Sequence, residues 1–199
     1  MRHSWTRKNR NAALRPGFTL AETMIVLVIG GLMITLAIPR VDTSKYKADA
    51  VAQIVRTTLQ NAQRNAITRQ HDIIVSFDTT GERIRLIWDA NNDGQANPGE
   101  RITYYGLENG ILFTDPSVSG VSGTAISTPV GGSNVVKLDG LPTVTFHRDG
   151  SVSSDAEIYI SIPARGPKIY RAITLTQATG RVDWYRLNIE ASKWVPANL

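Results

Sequence analysis

The stretch RPGFTLAETMIVLVIGGLMITLAIP, residues 15–39, decides how this chain is organised, because after one acid it is uncharged and mostly apolar. Counted from Phe18, it reaches the ~20 residues that a membrane-spanning helix needs. Basic residues precede it, and the positive-inside rule then keeps the N-terminus in the cytoplasm. The pattern predicts a single membrane span over residues 18–41, with the rest of the chain on the far side of the membrane.

Glu22 is the unusual residue of this stretch. A carboxylate within a membrane span costs roughly 2.5–3.5 kcal/mol on insertion scales, so we expect a binding partner for it. An ordinary secretory signal would instead have a shorter apolar core and a small-residue cleavage site after it. Here the glycine comes before the apolar run, at the Gly17–Phe18 junction.

The segment GFTLAETMIVLVIGGLMITLAIP resembles the type III leader and N-terminal helix of type IV pilins and type II secretion pseudopilins. The resemblance implies that residues 1–17 are a leader, that prepilin peptidase cuts after Gly17, and that the new amine of Phe18 is methylated. It also implies that Glu22 pairs with the terminal amine of a neighbouring subunit during assembly. A helical rise of about 1.5 Å per residue places Glu22 only ~6 Å along the axis from Phe18. The alternative is a signal anchor whose Glu22 reaches the headgroups.

Residues 42–70 have the pattern of a second, amphipathic helix. Pro39 is expected to kink or interrupt the preceding helix, since proline cannot donate a helical hydrogen bond. Apolar residues then recur at spacings of three and four, which predicts one buried face; they are Val51, Val55, Leu59, Ala62 and Ala66. We favour packing of this face on the chain's own sheet over packing between subunits.

Residues 71–199 change to short β-rich runs separated by turn signals. The runs are IIVSF, RIRLIW, RITYY, VVKL, TVTFH, EIYISI, YRAITLT and RVDWY. They predict two small antiparallel sheets, or one strongly twisted sheet, against the second half-helix. The fold class is therefore α+β and pilin-like: a long N-terminal helix on a C-terminal antiparallel β-domain. The Gly/Ser-rich residues 115–134 are expected to form a mobile loop, as a solvated linker or a recognition loop.

The net charge of +5 is concentrated at the N-terminus. Residues 1–17 contain five of the 22 basic residues and no acid, so the remainder has 17 basic and 17 acidic residues. A global argument for nucleic-acid binding is therefore weak. Cysteine is absent, which excludes disulfides and zinc-thiolate sites.

The stretch DANNDGQANPGE, residues 89–100, matches the calcium-loop pattern D-x-[DN]-x-[DN]-G-x5-E at every fixed position. Calcium needs six to eight oxygens. We expect them from the side chains of Asp89, Asn91, Asp93 and Glu100, the Gln95 carbonyl and a water. Strand-like runs flank the loop where a calcium sensor has helices, so the alternatives are a structural calcium site or a polar hairpin loop. No cofactor is otherwise required.

The sequence gives little support for catalysis. His71 and His147 lie in unrelated segments without a nucleophile signature, so we do not expect an enzyme. The main rival is a DNA-uptake pilin, whose family signature is glycine-arginine-x-arginine. Here Asp183 stands where the second arginine would be. Arg181, Arg186 and Lys193 remain candidate nucleic-acid contacts, with DNA an unlikely partner.

The segments TVTFHRDGSV and RAITLTQATGRVDW extend the resemblance to the minor pseudopilins of the GspH/FimT family. This implies an inner-membrane, single-pass subunit with a periplasmic domain, part of a type II secretion pseudopilus. The implied partners are prepilin peptidase, other major and minor pseudopilins, and secreted cargo or the outer-membrane secretin. The alternative is a FimT-like minor type IV pilin in pilus assembly or DNA uptake.

Overall fold

The computed structural model describes residues 17–37, 43–108, 110–116, 118–125, 127–132, 134–162 and 169–197. The chain divides into two compact units, Met1–Asp42 and Thr43–Leu199. Most of the expected leader and the position of Pro39 lie outside the described residues, so the predicted leader and kink stay predictions.

The described part of the first unit is dominated by helix α1 (Leu20–Ala37). The apolar side chains of its described residues up to Ile34 are exposed, including Leu27 at 75% and Met33 at 70%. In the part of the chain that the structure describes, neither helix combines the length and the apolar character that a membrane crossing needs. The predicted span over 18–41 therefore remains a prediction.

Helix α2 (Ser44–Arg69) opens the second unit. All five apolar positions predicted from the spacing are buried, and Ala48, Ala52 and Thr58 extend the same stripe. The helix ends where Gln70 adopts the left-handed conformation, with φ 59° and ψ 31°. Its side-chain amide donates to the Ile67 carbonyl at 2.6 Å, which satisfies one of the last free carbonyls of the helix.

Within the described residues, eleven strands follow α2 and form two antiparallel sheets. In chain order they are β1 (Asp72–Asp78), β2 (Arg83–Asp89), β3 (Arg101–Gly106), β4 (Leu112–Phe113), β5 (Val130–Gly131), β6 (Val136–Leu138), β7 (Leu141–Phe146), β8 (Ala156–Ile162), β9 (Ile169–Thr176), β10 (Arg181–Asn188) and β11 (Lys193–Pro196). Sheet A has the order β3-β2-β1-β7-β6, and sheet B has the order β11-β10-β9-β8-β4, with β5 also paired to β8.

The core of the second unit lies where α2 meets both sheets. Helix α2 packs on β9, β10 and β8 of sheet B and on β1 and β7 of sheet A. Small alanines on its buried face let the backbone approach the sheets closely, and Val55 and Leu59 fill the space between them. Each fully buried valine or leucine contributes about 1.5–3 kcal/mol. The predicted α+β class and the packing of α2 on its own sheets are confirmed.

The Gly/Ser-rich stretch differs from the expected mobile loop in its described residues. Ser119 and Ala125 form an antiparallel bridge, and β5 joins sheet B through Val130 and Ile158. The stretch is also fixed by a carboxylate, because Glu157 on β8 accepts the amide of Ser122 at 2.8 Å. A composition rich in glycine and serine does not indicate the anchors on β8, since Glu157 and Ile158 lie far away in the sequence.

Candidate functional site

The predicted cleavage junction lies just outside helix α1. Gly17, Phe18 and Thr19 precede the first helical residue, and Phe18 is 83% exposed. The cleavage after Gly17 and the methylation of Phe18 stay predictions.

Glu22 forms a capping box at the start of α1. The Glu22 amide donates to the Thr19 hydroxyl at 3.2 Å, and the Thr19 amide donates to the Glu22 carboxylate over a longer 3.5 Å. These two contacts satisfy amides that the first turn of a helix leaves free. The T-x-x-E signal is present in the sequence, although we expected Glu22 to pair with an amine or to reach the headgroups.

The loop of residues 89–100 is organised around a buried carboxylate. Asp89 is fully buried at the end of β2 and accepts the amides of Asp93 at 3.2 Å and Gly94 at 2.8 Å. Glu100, at the other end of the loop, accepts the amides of Ala90 at 3.2 Å and Asn97 at 2.9 Å. These amide contacts close the loop into a hairpin between β2 and β3.

Asp93 has polar neighbours on both sides. The Gln95 amide and then the Asn97 side-chain amide donate to its carboxylate and lower its pKa below the usual value. Among the described residues, no group of three or more histidine or acidic side chains is arranged to hold a metal ion. The predicted ligands lie in one loop, and the calcium site stays a prediction.

The predicted nucleic-acid residues lie on β10 and β11, and two of the three are paired with acids. Arg181 contacts Asp183 at 2.7 Å, and Arg186 contacts Asp49 of α2 at 3.0 Å. The Arg186 guanidinium also lies 5.1 Å from the Trp184 ring centre. Lys193 begins β11. The acids reduce the positive charge that these arginines offer to a phosphate backbone.

Asp49 is the centre of a clamp between α2 and sheet B. Its carboxylate accepts from Arg171 at 2.6 Å, and Arg171 is only 4% exposed. Burial lowers the pKa of Arg171, while Asp49 acts in the opposite direction. Arg171 also donates to the Tyr170 carbonyl at 2.8 Å. Asp49 and Arg171 are 122 residues apart in the chain, so no local sequence pattern indicated this charged pair.

Gln63 joins α2 to the two turns that carried the GspH/FimT resemblance. Its side-chain amide donates to the carbonyls of Gly150 at 2.7 Å and Thr179 at 2.8 Å. Gly180 has φ +62°, and a Cβ there would lie 2.2 Å from the Gln63 amide nitrogen. The RDG and ATG segments are therefore both hydrogen-bonded to Gln63. The close approach of Gln63 to Gly180 leaves no room for a larger residue there.

The two histidines outside the leader occupy separate structural contacts. The His147 Nδ1 lies 2.7 Å from the Asp72 carboxylate, which also accepts the Arg148 amide at 3.3 Å. The His71 ring meets Trp88 edge-on, with ring centres 6.1 Å apart. These contacts join the start of β1 to strand β2 and to the turn after β7.

The prokaryotic N-terminal methylation motif matches residues 15–38, which include the cleavage junction, the capping box and helix α1. With this motif, two helices and an antiparallel β-domain, the chain resembles type IV pilin-like proteins.

Three known proteins resemble it. The pilin-like protein PilA1 of Thermus thermophilus is 31% identical over 98 residues, which cover 48% of this chain and 63% of that relative. The match thus spans less than two thirds of the relative's length. The minor pseudopilin EpsH from the type 2 secretion system of Vibrio cholerae has a TM-score of 0.46 and 15% identity, covering 77% of this chain and 99% of that one. The type IV minor pilin FimU of Pseudomonas aeruginosa has a TM-score of 0.44 and 15% identity, covering 70% and 89%.

Proposed function

We propose that this protein is a minor pseudopilin, a structural subunit of the periplasmic pseudopilus of a type II secretion system. The observation that carries the proposal is the exposed Gly17–Phe18 junction, followed by Glu22 in the first turn of α1. In this role prepilin peptidase hydrolyses the bond between Gly17 and Phe18, and the new amine is methylated. The protein acts by assembly and performs no reaction of its own.

Glu22 is proposed to guide docking in the inner membrane. Its carboxylate already turns back to the Thr19 amide, one residue from the amine that cleavage creates. A carboxylate held there is favourably placed for an ammonium group, because opposite charges attract strongly where water is scarce. Pairing with the amine of a neighbouring subunit would set the register between subunits and offset the cost of an otherwise isolated charge.

The proposal places the subunit as a single-pass protein, with a cytoplasmic N-terminus and a periplasmic β-domain. Its partners are prepilin peptidase and the other pseudopilins, with secreted cargo or the secretin as further contacts. It includes a structural calcium ion in the loop of residues 89–100. Backbone amides already hold one or both oxygens of Asp89 and Asp93, which reduces the ordering that calcium binding would require.

Comparison of culture-supernatant proteins tests this function. We expect deletion of the gene to remove a defined set of exported proteins from the supernatant. The intact gene should restore them, whereas a variant with Gly17→Val, which blocks processing, should not. An unchanged supernatant combined with lost transformation would overturn the proposal in favour of the FimT-like DNA-uptake alternative.

A further inference from the structure

Sheet A ends at an edge strand that is unlike the other edges of the two sheets. In the described part of the chain, β3 pairs with β2 and with no other strand. It is six residues long and contains no proline. By contrast, β6 has three residues, β4 and β5 have two each, and β11 contains Lys193 and Pro196. Short length, lysine and proline are the usual features that prevent an edge from pairing with another chain.

The side chains of β3 are exposed on both faces of the sheet. Ile102 is 41% exposed, Tyr104 is 50% exposed and Tyr105 is 42% exposed. Cross-strand partners share a face, so Arg101 lies on the face of Trp88, while Ile102 lies on the face of Ile87. An added strand would therefore meet Arg101 and Tyr105 on one face. On the other face it would meet Ile102 and Tyr104, where the Arg83 guanidinium lies 4.7 Å from the centre of the Tyr104 ring.

The face of this edge that carries Arg101 contains two guanidinium groups. Arg101 from β3 and Arg69 from the end of α2 lie 5.2 Å and 4.8 Å from the centre of the Trp88 ring. Two acids near the strand ends turn inward: Glu100 accepts loop amides, and Glu82 accepts the Phe113 amide at 2.6 Å. The charge presented beside Trp88 is therefore positive and favours a negatively charged partner.

The geometry points to β3 as a docking site for an extended acidic segment of a partner protein. Such a segment would add to sheet A as a sixth strand through main-chain hydrogen bonds. Its alternate side chains would be acidic beside Arg101 and Arg69 and apolar beside Ile102 and Tyr104. This inference depends on sheet A alone and holds whichever filament the subunit joins.

The test uses full-length protein in detergent micelles and an eight-residue synthetic peptide in which glutamate alternates with valine. Amide hydrogen exchange should slow at least tenfold at alternate residues of β3 when the peptide is added. A peptide in which lysine replaces glutamate should bind at least tenfold more weakly. An acidic peptide with proline at its central positions should give no protection, because proline cannot donate ladder hydrogen bonds.

Two variants test whether the positive charge at Arg101 contributes to peptide binding. Arg101→Glu should weaken binding of the acidic peptide at least tenfold and strengthen binding of the lysine peptide. Lys137→Glu makes the same charge change on β6, at the opposite edge of sheet A, and should bind like the wild type. Circular dichroism should show that both variants remain folded.

Three outcomes would overturn the inference. One is the absence of β3 protection at millimolar acidic peptide, and another is equal binding of the acidic and lysine peptides. The third is stronger protection of β3 by an oligothymidylate than by the peptide, which would identify a nucleic-acid surface. None of these outcomes bears on protein export, so the docking site and the secretion role can fail independently.

Discussion

The two helices of this chain have apolar side chains with different surroundings. Along α1 they are exposed, as Leu27 at 75% shows, whereas the buried face of α2 includes Val51 and Val55 at 1% each and Leu59 at 0%. Helix α2 is stabilised by its own two sheets. Among the described residues, the apolar side chains of α1 have no comparable burial.

This difference separates two kinds of sequence constraint. In α2 the constraint is shape, because small alanines and Gln63 must fit between strands and turns of the same chain. In α1 it is general apolarity, and the chemistry proposed for assembly lies at and just before its N-terminal end, at Gly17, Phe18 and Glu22. Changes in α1 should therefore alter assembly, and changes around α2 should alter the free energy of unfolding.

Glu22→Ala is expected to have the largest effect, and on assembly alone. Cross-linking to neighbouring subunits in cells should fall at least tenfold, while cleavage after Gly17 and the melting temperature of the β-domain stay unchanged. Loss of the cap costs α1 only about 1 kcal/mol. Normal assembly of this variant would refute the pairing role.

Glu22→Gln is the matched control, since glutamine keeps the capping box but lacks the charge. If the charge matters, this variant should fail to assemble like Glu22→Ala. If only the cap matters, it should assemble normally.

Asp49→Ala should give the largest loss of stability. It leaves Arg171 buried without its carboxylate partner, and breaking such a pair costs about 3 kcal/mol or more. Chemical unfolding of the full-length protein in detergent measures this loss. Arg181→Ala removes a pair whose arginine is 72% exposed, so it should cost under about 1 kcal/mol. Equal losses would mean that the clamp does not hold α2 to sheet B.

Gly180→Ala should destabilise the same helix–turn contact by about 3 kcal/mol. The new Cβ would meet the Gln63 side chain and the Gly150 carbonyl, and φ +62° adds strain. Gly140→Ala is the control, because its φ is +79° but nothing lies within 4 Å of a new Cβ. That variant should lose only about 1 kcal/mol from backbone strain. Similar losses in thermal unfolding would refute the close-approach explanation.

Calcium should raise the melting temperature of the full-length protein if the loop of residues 89–100 binds it. A ligand present at 100 times its dissociation constant adds about 2.7 kcal/mol. Asp93→Ala should abolish the rise, whereas Asp149→Ala removes an acid in another turn and should leave it intact. No shift at millimolar calcium would leave the loop as a hairpin connection alone.

The sequence predicted the elements that depend on local periodicity, and it missed those that depend on distant partners. The buried stripe of α2 was predicted from spacing and the eight β-rich runs from their composition between turn signals, and the structure has strands at all eight. Strands β4, β5 and β11 were not predicted, because pairing with β8 or β10 defines them. Likewise, the Gly17–Phe18–Glu22 motif is contiguous, whereas Asp49 and Arg171 become neighbours only through the fold.

The smallest expected effect is a pH dependence in the turn between β1 and β2. The Gly81 amide, together with Arg83, lowers the pKa of Asp78, even though burial raises it. A lowered carboxyl pKa gives stability that is present above the unfolded value of ~3.9 and is lost as pH falls through the folded value. The effect of Glu82 on stability has the opposite sign. Burial raises its pKa, so the stability that it contributes is lost as pH rises.

Because these two groups oppose each other, the difference between wild type and Asp78→Asn isolates Asp78. The Arg83 partner is 48% exposed, so we expect a difference of about 1 kcal/mol or less at pH 6 that shrinks as the pH falls through the lowered carboxyl pKa. Thermal unfolding across this range measures it. Arg83→Gln should retain most of the pH dependence, since the Gly81 amide is the larger cause. If the pH dependence of stability disappears in Arg83→Gln, its cause is the ion pair. If it persists in Asp78→Asn, its cause is another acid of the second unit.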